Sequence, residues 1–164
     1  MKFKNLVLTL GVLMMLAFTS MAAAAPSQVN RSMTAINAAK AEIPAVCELV
    51  GYNVDGDTSI ITFKDPNTLE RYVVDVNTAT AKVQEIEVKG ATFVMGSTMV
   101  TKTPDDIEKI VLENYPNAYE IVITQGQDGN NIYYIADFLT DKFDGELKLD
   151  PVTGAICERE LEYF

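Results

Sequence analysis

Thr103-Pro104-Asp105-Asp106-Ile107-Glu108-Lys109-Ile110-Val111-Leu112-Glu113-Asn114-Tyr115-Pro116 is the stretch from which the rest of the chain is read. A hydroxyl precedes a proline and two carboxylates. That order caps free amides, places a missing N–H where it costs nothing, and puts negative charge at the positive end of the helix dipole. Ile107, Ile110, Val111 and Tyr115 then recur at three- and four-residue spacing, so one face of a helix is apolar, and Pro116 stops it.

Beyond Pro116 the period drops to two. Tyr119, Ile121 and Ile123 alternate with Glu120, Val122 and Thr124, which predicts a strand with one covered face. Gln127 to Asn131 is turn chemistry, and a second strand runs from Ile132 to Thr140. Asp141 to Gly145 turns the chain back. Glu146 to Asp150 and Ala155 to Leu161 make a closing hairpin around Pro151-Val152-Thr153-Gly154. The unit is one helix followed by about four antiparallel strands.

The helix with its proline, the aromatic strand containing Tyr133-Tyr134-Ile135, and the block Asp144-Gly145-Glu146-Leu147-Lys148-Leu149-Asp150-Pro151-Val152-Thr153-Gly154-Ala155-Ile156 together resemble the PepSY domain family. The resemblance covers roughly the last sixty residues, Thr103 to Phe164. PepSY domains are similar to parts of the propeptides of thermolysin-type proteases. The resemblance therefore implies a small helix-on-sheet fold that restrains a peptidase outside the cytoplasm, with no family catalytic residue to carry over.

Upstream, the same order recurs. Pro44-Ala45-Val46-Cys47-Glu48-Leu49-Val50 aligns with Pro116-Asn117-Ala118-Tyr119-Glu120-Ile121-Val122 at an offset of 72 residues. One further residue brings Asn77-Thr78-Ala79-Thr80-Ala81-Lys82-Val83 onto Asp150 to Ile156. The first helix, Arg31 to Ile43, is alanine-rich, with Met33 and Ile36 as its expected apolar contacts. Ala81 replaces the glycine of the last turn, and Tyr72 stands alone where the second copy has an aromatic doublet. The expected fold is α+β: two tandem units, each with one helix packed on its own sheet of about four antiparallel strands. The expected units are residues 31–89 and 103–164, joined by a linker or bridging strand over 90–102.

Lys2 and Lys4, the apolar run from Leu6 to Phe18 and Ala22 to Ala25 have the pattern of a secretory signal peptide, read as residues 1–24 and followed by a flexible lead-in at 25–30. The apolar run of 13 residues is short of the roughly 20 that span a bilayer, so no stable membrane anchor is expected. Without the leader, 11 basic residues face 23 acidic ones, a formal charge of −12. That balance opposes nucleic acid and anionic membrane surfaces and favours basic partners.

The chain contains no histidine, which removes the usual nucleophilic triads, the usual zinc sites and the commonest general base near neutral pH. It has no Cys-x-x-Cys, phosphate-binding loop or dinucleotide fingerprint. Glu158, Glu160 and Glu162 alternate along the closing strand and read as its solvent face. Turn carboxylates such as Asp55, Asp57 and Asp128 lack calcium-loop spacing. No catalytic residue, cofactor or metal is expected. In an exported chain, Cys47 and Cys157 are candidates for a disulfide, which would close a loop of 110 residues worth about 4–5 kcal/mol. The candidate binding residues are Phe93 and Met95 in the connection, and Tyr133, Ile135 and Leu139 on the face of their strand away from the helix.

These readings converge on an exported, non-catalytic binding module, secreted, periplasmic or in the cell envelope. Its expected partner is another exported protein, a peptidase being the class the resemblance implies. The alternative is a carrier or sensor holding a small ligand or metal ion between the two repeats. Tandem repeats of this size are also similar in layout to β-lactamase inhibitory proteins, without a motif in common.

Overall fold

The computed structural model describes residues 28–90 and 96–164. Among these residues two helices, each followed by four strands, run in the order α1 (Gln28–Ala41), β1 (Glu48–Asp55), β2 (Thr58–Lys64), β3 (Arg71–Asn77), β4 (Val83–Lys89), α2 (Pro104–Asn114), β5 (Tyr119–Asp128), β6 (Asn131–Leu139), β7 (Phe143–Leu149) and β8 (Ile156–Tyr163). Thr103 caps α2 with a reciprocal capping box. Its hydroxyl accepts from the Asp106 N–H at 3.3 Å, and its own N–H donates to the Asp106 carboxylate at 3.0 Å. Donation from the Thr103 N–H and hydroxyl holds the Asp106 carboxyl below the usual range.

The expectation of two separate helix-on-sheet units is overturned. All eight strands form one antiparallel sheet in the order β1-β2-β3-β4-β8-β7-β6-β5, so the described residues are mostly β, with two short helices. The physical reason lies in the closing strands. A four-stranded unit leaves its last strand with a row of unpaired N–H and C=O groups, and β4 and β8 satisfy each other's.

Residues directly opposite in an antiparallel ladder share a face, so the buried layer can be traced across the whole sheet. Ile61, Val74, Ile86, Leu161, Gly145 and Phe138 form one continuous row. Both helices cover this face. α1 packs on β2 and β3, and α2 on β5 and β6, and their buried residues join one core with the strands. The fit of α1 differs from its reading. Ile36 packs against the core as expected, but Met33 is 53% exposed, and Ala35 and Ala39 are buried in its place, because a methyl side chain lets the helix approach the sheet closely. Over the middle, Arg159 pairs with Glu70 at 3.7 Å, and Glu70 also accepts from the Tyr72 hydroxyl at 3.0 Å.

The β4–β8 ladder is isologous. At the 73-residue offset, Glu85 to Lys89 correspond to Glu158 to Glu162. Glu85 pairs with Glu162, Ile86 with Leu161, and Glu87 with Glu160, which is its own counterpart. This is the self-complementary contact of a two-fold dimer, realised inside one chain. The bulge between Asp75 and Val76 recurs between Lys148 and Leu149. The closing turns match atom for atom. The Asn77 side-chain oxygen accepts from the Ala79 and Thr80 N–H groups and the Thr80 hydroxyl, as the Asp150 carboxylate does from Val152 and Thr153. Ala81 sits at φ 56° where Gly154 sits at φ 77°.

Candidate binding face

The face of the sheet away from the helices is covered by no described element, and its side chains alternate with the core. Two rows cross the junction of the repeats there. Asp75, Glu85, Glu162 and Asp144 are consecutive neighbours on β3, β4, β8 and β7. Glu87, Glu160, Glu146 and Asp137 are consecutive neighbours on β4, β8, β7 and β6. Eight carboxylates thus stand side by side, although like charges directly opposite destabilise a ladder. Asp137, Asp144, Glu146, Glu160 and Glu162 line a depression of about 170 Å³.

Cations reach this block from one border only among the described residues. The next row along the strands is Lys64, Arg71, Lys89, Glu158 and Lys148. From it Lys89 pairs with Glu87 at 2.6 Å, and Lys148 with Glu146 at 3.3 Å and Glu158 at 3.6 Å. The two halves have diverged at this point. Arg71, Val73 and Lys89 of the first repeat have Asp144, Glu146 and Glu162 as counterparts in the second, which is how the acid rows extend across the junction.

Crowding is visible in the protonation equilibria. Burial and then Glu87 push the Asp75 carboxyl above its usual range. Glu85 is raised by burial and by Glu160, Asp75, Glu162 and Glu87. Asp137 is raised by burial, Glu146 and Asp144. Glu160 is raised by burial and Glu146, with Lys148 opposing. The Lys148 ammonium loses hydration by burial, yet Glu158 and Glu146 outweigh that loss and raise its pKa. Among the described residues, no three His, Cys, Asp or Glu side chains converge on a point that could hold a metal ion. The carboxylates are spread over a surface, an arrangement suited to a distributed positive charge.

Of the residues singled out from sequence, Tyr133, Ile135 and Leu139 lie half-buried in one column on this face of β6. Asp137 breaks the column, so the three flank the carboxylate block and form no continuous apolar patch. A Cβ at Gly126 would stand 2.4 Å from the Tyr133 ring, so the ring lies over that glycine on β5. Phe93 and Met95 lie outside the described residues. The described end of the connection is tied down. Ser97 and Ile132 exchange backbone hydrogen bonds at 2.9 and 2.8 Å, and the Thr101 and Lys102 N–H groups donate to the Pro151 carbonyl.

Cys47 and Cys157 are free thiols, Cys47 buried ahead of β1 and Cys157 half-buried on β8. Their neighbours Glu48 and Glu158 are four strand positions apart across the sheet, about 19 Å at the usual spacing. A disulfide needs Cα atoms within about 7 Å, so the proposed bridge does not form in this fold. The carboxylate block itself was missed from sequence. The alternation of Glu158, Glu160 and Glu162 is legible, but their opposition to Glu85 and Glu87 depends on which strands are neighbours.

No family model and no curated protein matches the chain. Among solved structures, it is similar to a BLIP-like protein from Bacteroides fragilis, with a TM-score of 0.34 at 12% identity over 79% of this chain and 85% of the other. It is also similar to a protein from Clostridium difficile designated a candidate lipoprotein, with a TM-score of 0.32 at 17% identity over 78% and 90%. Both likenesses are distant. The PepSY resemblance therefore rests on the residues that carry it.

Proposed function

We propose that this is an exported, non-catalytic binding module whose open sheet face docks a basic surface of another exported protein, a peptidase being the class the sequence resemblance favours. The observation that carries the reading is the pair of carboxylate rows spanning β3, β4, β8, β7 and β6. Folding alone gains nothing from opposing like charges on neighbouring strands, whereas a cationic partner turns the same arrangement into charge-assisted contacts and faster encounter. Export is supported by the leader pattern at residues 1–24. The carrier alternative loses its cleft, because the repeats meet in a continuous hydrogen-bonded ladder.

The test uses the chain from Ala25 and an isosteric variant carrying Asp144→Asn, Glu146→Gln, Glu160→Gln and Glu162→Gln. Both are immobilised against the exported proteins of the source organism. A basic protein held by the first, released by about 0.5 M salt, and held at least tenfold more weakly by the variant is the expected result. If that protein is a peptidase, its turnover falls on binding. Equal retention by both chains, or capture insensitive to salt, would overturn the reading.

A further inference from the structure

The two helices are not placed alike on their repeats, and the difference leaves one edge of the sheet uncovered. α2 packs on β5 and β6, so Ile121 and Ile123 of edge strand β5 join the core. α1 packs one strand further in, on β2 and β3. On β1, Leu49, Tyr52 and Val54 pair with Phe63, Ile61 and Ser59, so they point to the helix side, yet they remain 43%, 38% and 47% exposed. β1 thus forms an apolar shelf beside α1, with a groove of about 460 Å³ lined by Tyr52, Val54 and Arg31. Its other face carries Glu48, Asn53 and Asp55.

β1 is also the end of the ladder, so among the described residues no strand lies beyond its outward N–H and C=O groups. Its bulge is confined to Leu49–Gly51, and regular pairing runs from Gly51 to Asp55. At the opposite edge, β5 also carries one bulge, between Tyr119 and Val122 with Glu120 at φ 51°, and pairs regularly beyond it. There, however, α2 covers the helix side and leaves no apolar shelf beside the edge. We infer that the outer edge of β1 is a docking surface distinct from the carboxylate face, taking an extended segment of a basic protein as an added strand. The segment places apolar side chains over Leu49, Tyr52 and Val54, and Lys or Arg opposite Glu48 and Asp55. Backbone pairing gives such a contact its strength, and alternate side chains give it selectivity. Charge selects the occupant. A second copy would set Glu48 against Asp55 of its partner and bring together two chains of formal charge −10.

The probe is an amidated heptapeptide, Lys-Val-Thr-Val-Thr-Val-Lys, whose lysines share the face opposite its valines and which carries a neutral N-terminal fluorophore; it is titrated into the full chain near neutral pH and followed by fluorescence anisotropy and amide hydrogen exchange. The expected result is saturable binding that slows exchange in 48–55. Binding should weaken about five- to tenfold when both lysines become glutamates, and vanish when the central Val-Thr of the peptide becomes Pro-Pro. Val54→Lys, at an exposed position, should weaken it more than about tenfold with thermal unfolding unchanged. The four-carboxylate variant of the open face should bind the peptide as the parent does, which separates this surface from the other. The inference fails if the peptide does not saturate, if protection falls on β4 and β8, or if the proline peptide binds equally. It also fails if the outward-pointing amides of 48–55, those not bonded to β2, are already protected without peptide, by a second copy or by residues 1–27.

Discussion

Glu87 and Glu160 provide a direct measure of whether the repeats share one sheet. Glu160 stands between Glu87 on β4 and Glu146 on β7, so Glu160→Gln removes two cross-strand repulsions of about 0.2–1 kcal/mol each. The favourable influence of Lys148 is lost in part, leaving a net gain of about 0.5–1.5 kcal/mol. For a chain of this size, that raises Tm by about 1–6 °C. Glu87→Gln removes one repulsion but also the ion pair with Lys89, so its effect is close to neutral. The informative quantity is the coupling. Because the Glu87–Glu160 repulsion can be removed only once, the double variant should fall short of the summed single gains by about 0.2–1 kcal/mol.

Urea unfolding of all four chains near pH 8 at low ionic strength measures this coupling, and about 1 M salt should suppress it. The pH dependence provides a second arm. Asp75, Glu85, Asp137 and Glu160 have carboxyls raised above their unfolded range, so the native state holds more protons than the unfolded state in that window. Their contribution is fully present below the ordinary carboxylate pKa of about 4 and is lost as pH rises through the raised values. The gain from Glu160→Gln should therefore disappear near pH 4. Strict additivity at low salt, or a gain that persists at acid pH, would refute a β4–β8 ladder with these registers.

Two further outcomes follow from the same geometry. Ala81→Gly relieves a left-handed alanine worth about 1–2 kcal/mol, less about 0.4–1 kcal/mol of added chain entropy, and should stabilise slightly. The reciprocal Gly154→Ala should cost about 2–4 kcal/mol, since its Cβ would stand 2.5 Å from Ile110 at φ 77°, and denaturant midpoints of opposite sign check the pair. Without reductant, thiol titration of the unfolded chain should find both cysteines free. In the native chain, half-buried Cys157 should label before buried Cys47, and both should label slowly, because burial and nearby carboxylates raise each thiol. A single blocked pair would show that the strands separate far enough to bridge.

Features set by neighbours in the chain were readable without a structure. The capping box at Thr103 and Asp106, the stop at Pro116, the period-two strands and the Asn77 and Asp150 turns depend on contacts within a few residues, as does the order of elements in each repeat. The turn at Asp65-Pro66-Asn67-Thr68 could have been read more fully. Asp65 accepts from the Asn67 and Thr68 N–H groups as Asp150 does from Val152 and Thr153, and Leu69 takes the left-handed position at φ 63°. Alanine in α1 misled for a related reason: residue size suggested Met33, whereas depth of approach selected Ala35 and Ala39.

What the chain could not reveal locally is the partner of each closing strand. An amphipathic strand ending a four-stranded meander looks the same whether its outer edge meets water or another strand, because the ladder groups are the backbone of every residue. Pairing β4 with β8 across the 66 residues that separate Lys89 from Ile156 was decided only in three dimensions. With it came the single sheet, the opposition of Glu85 and Glu87 to Glu162 and Glu160, and the separation of Cys47 from Cys157. Sequence alone therefore determined the repeat and its acidic character. Tertiary structure decided that the acid is gathered on one face, since electrostatic crowding depends on distance through space and not along the chain.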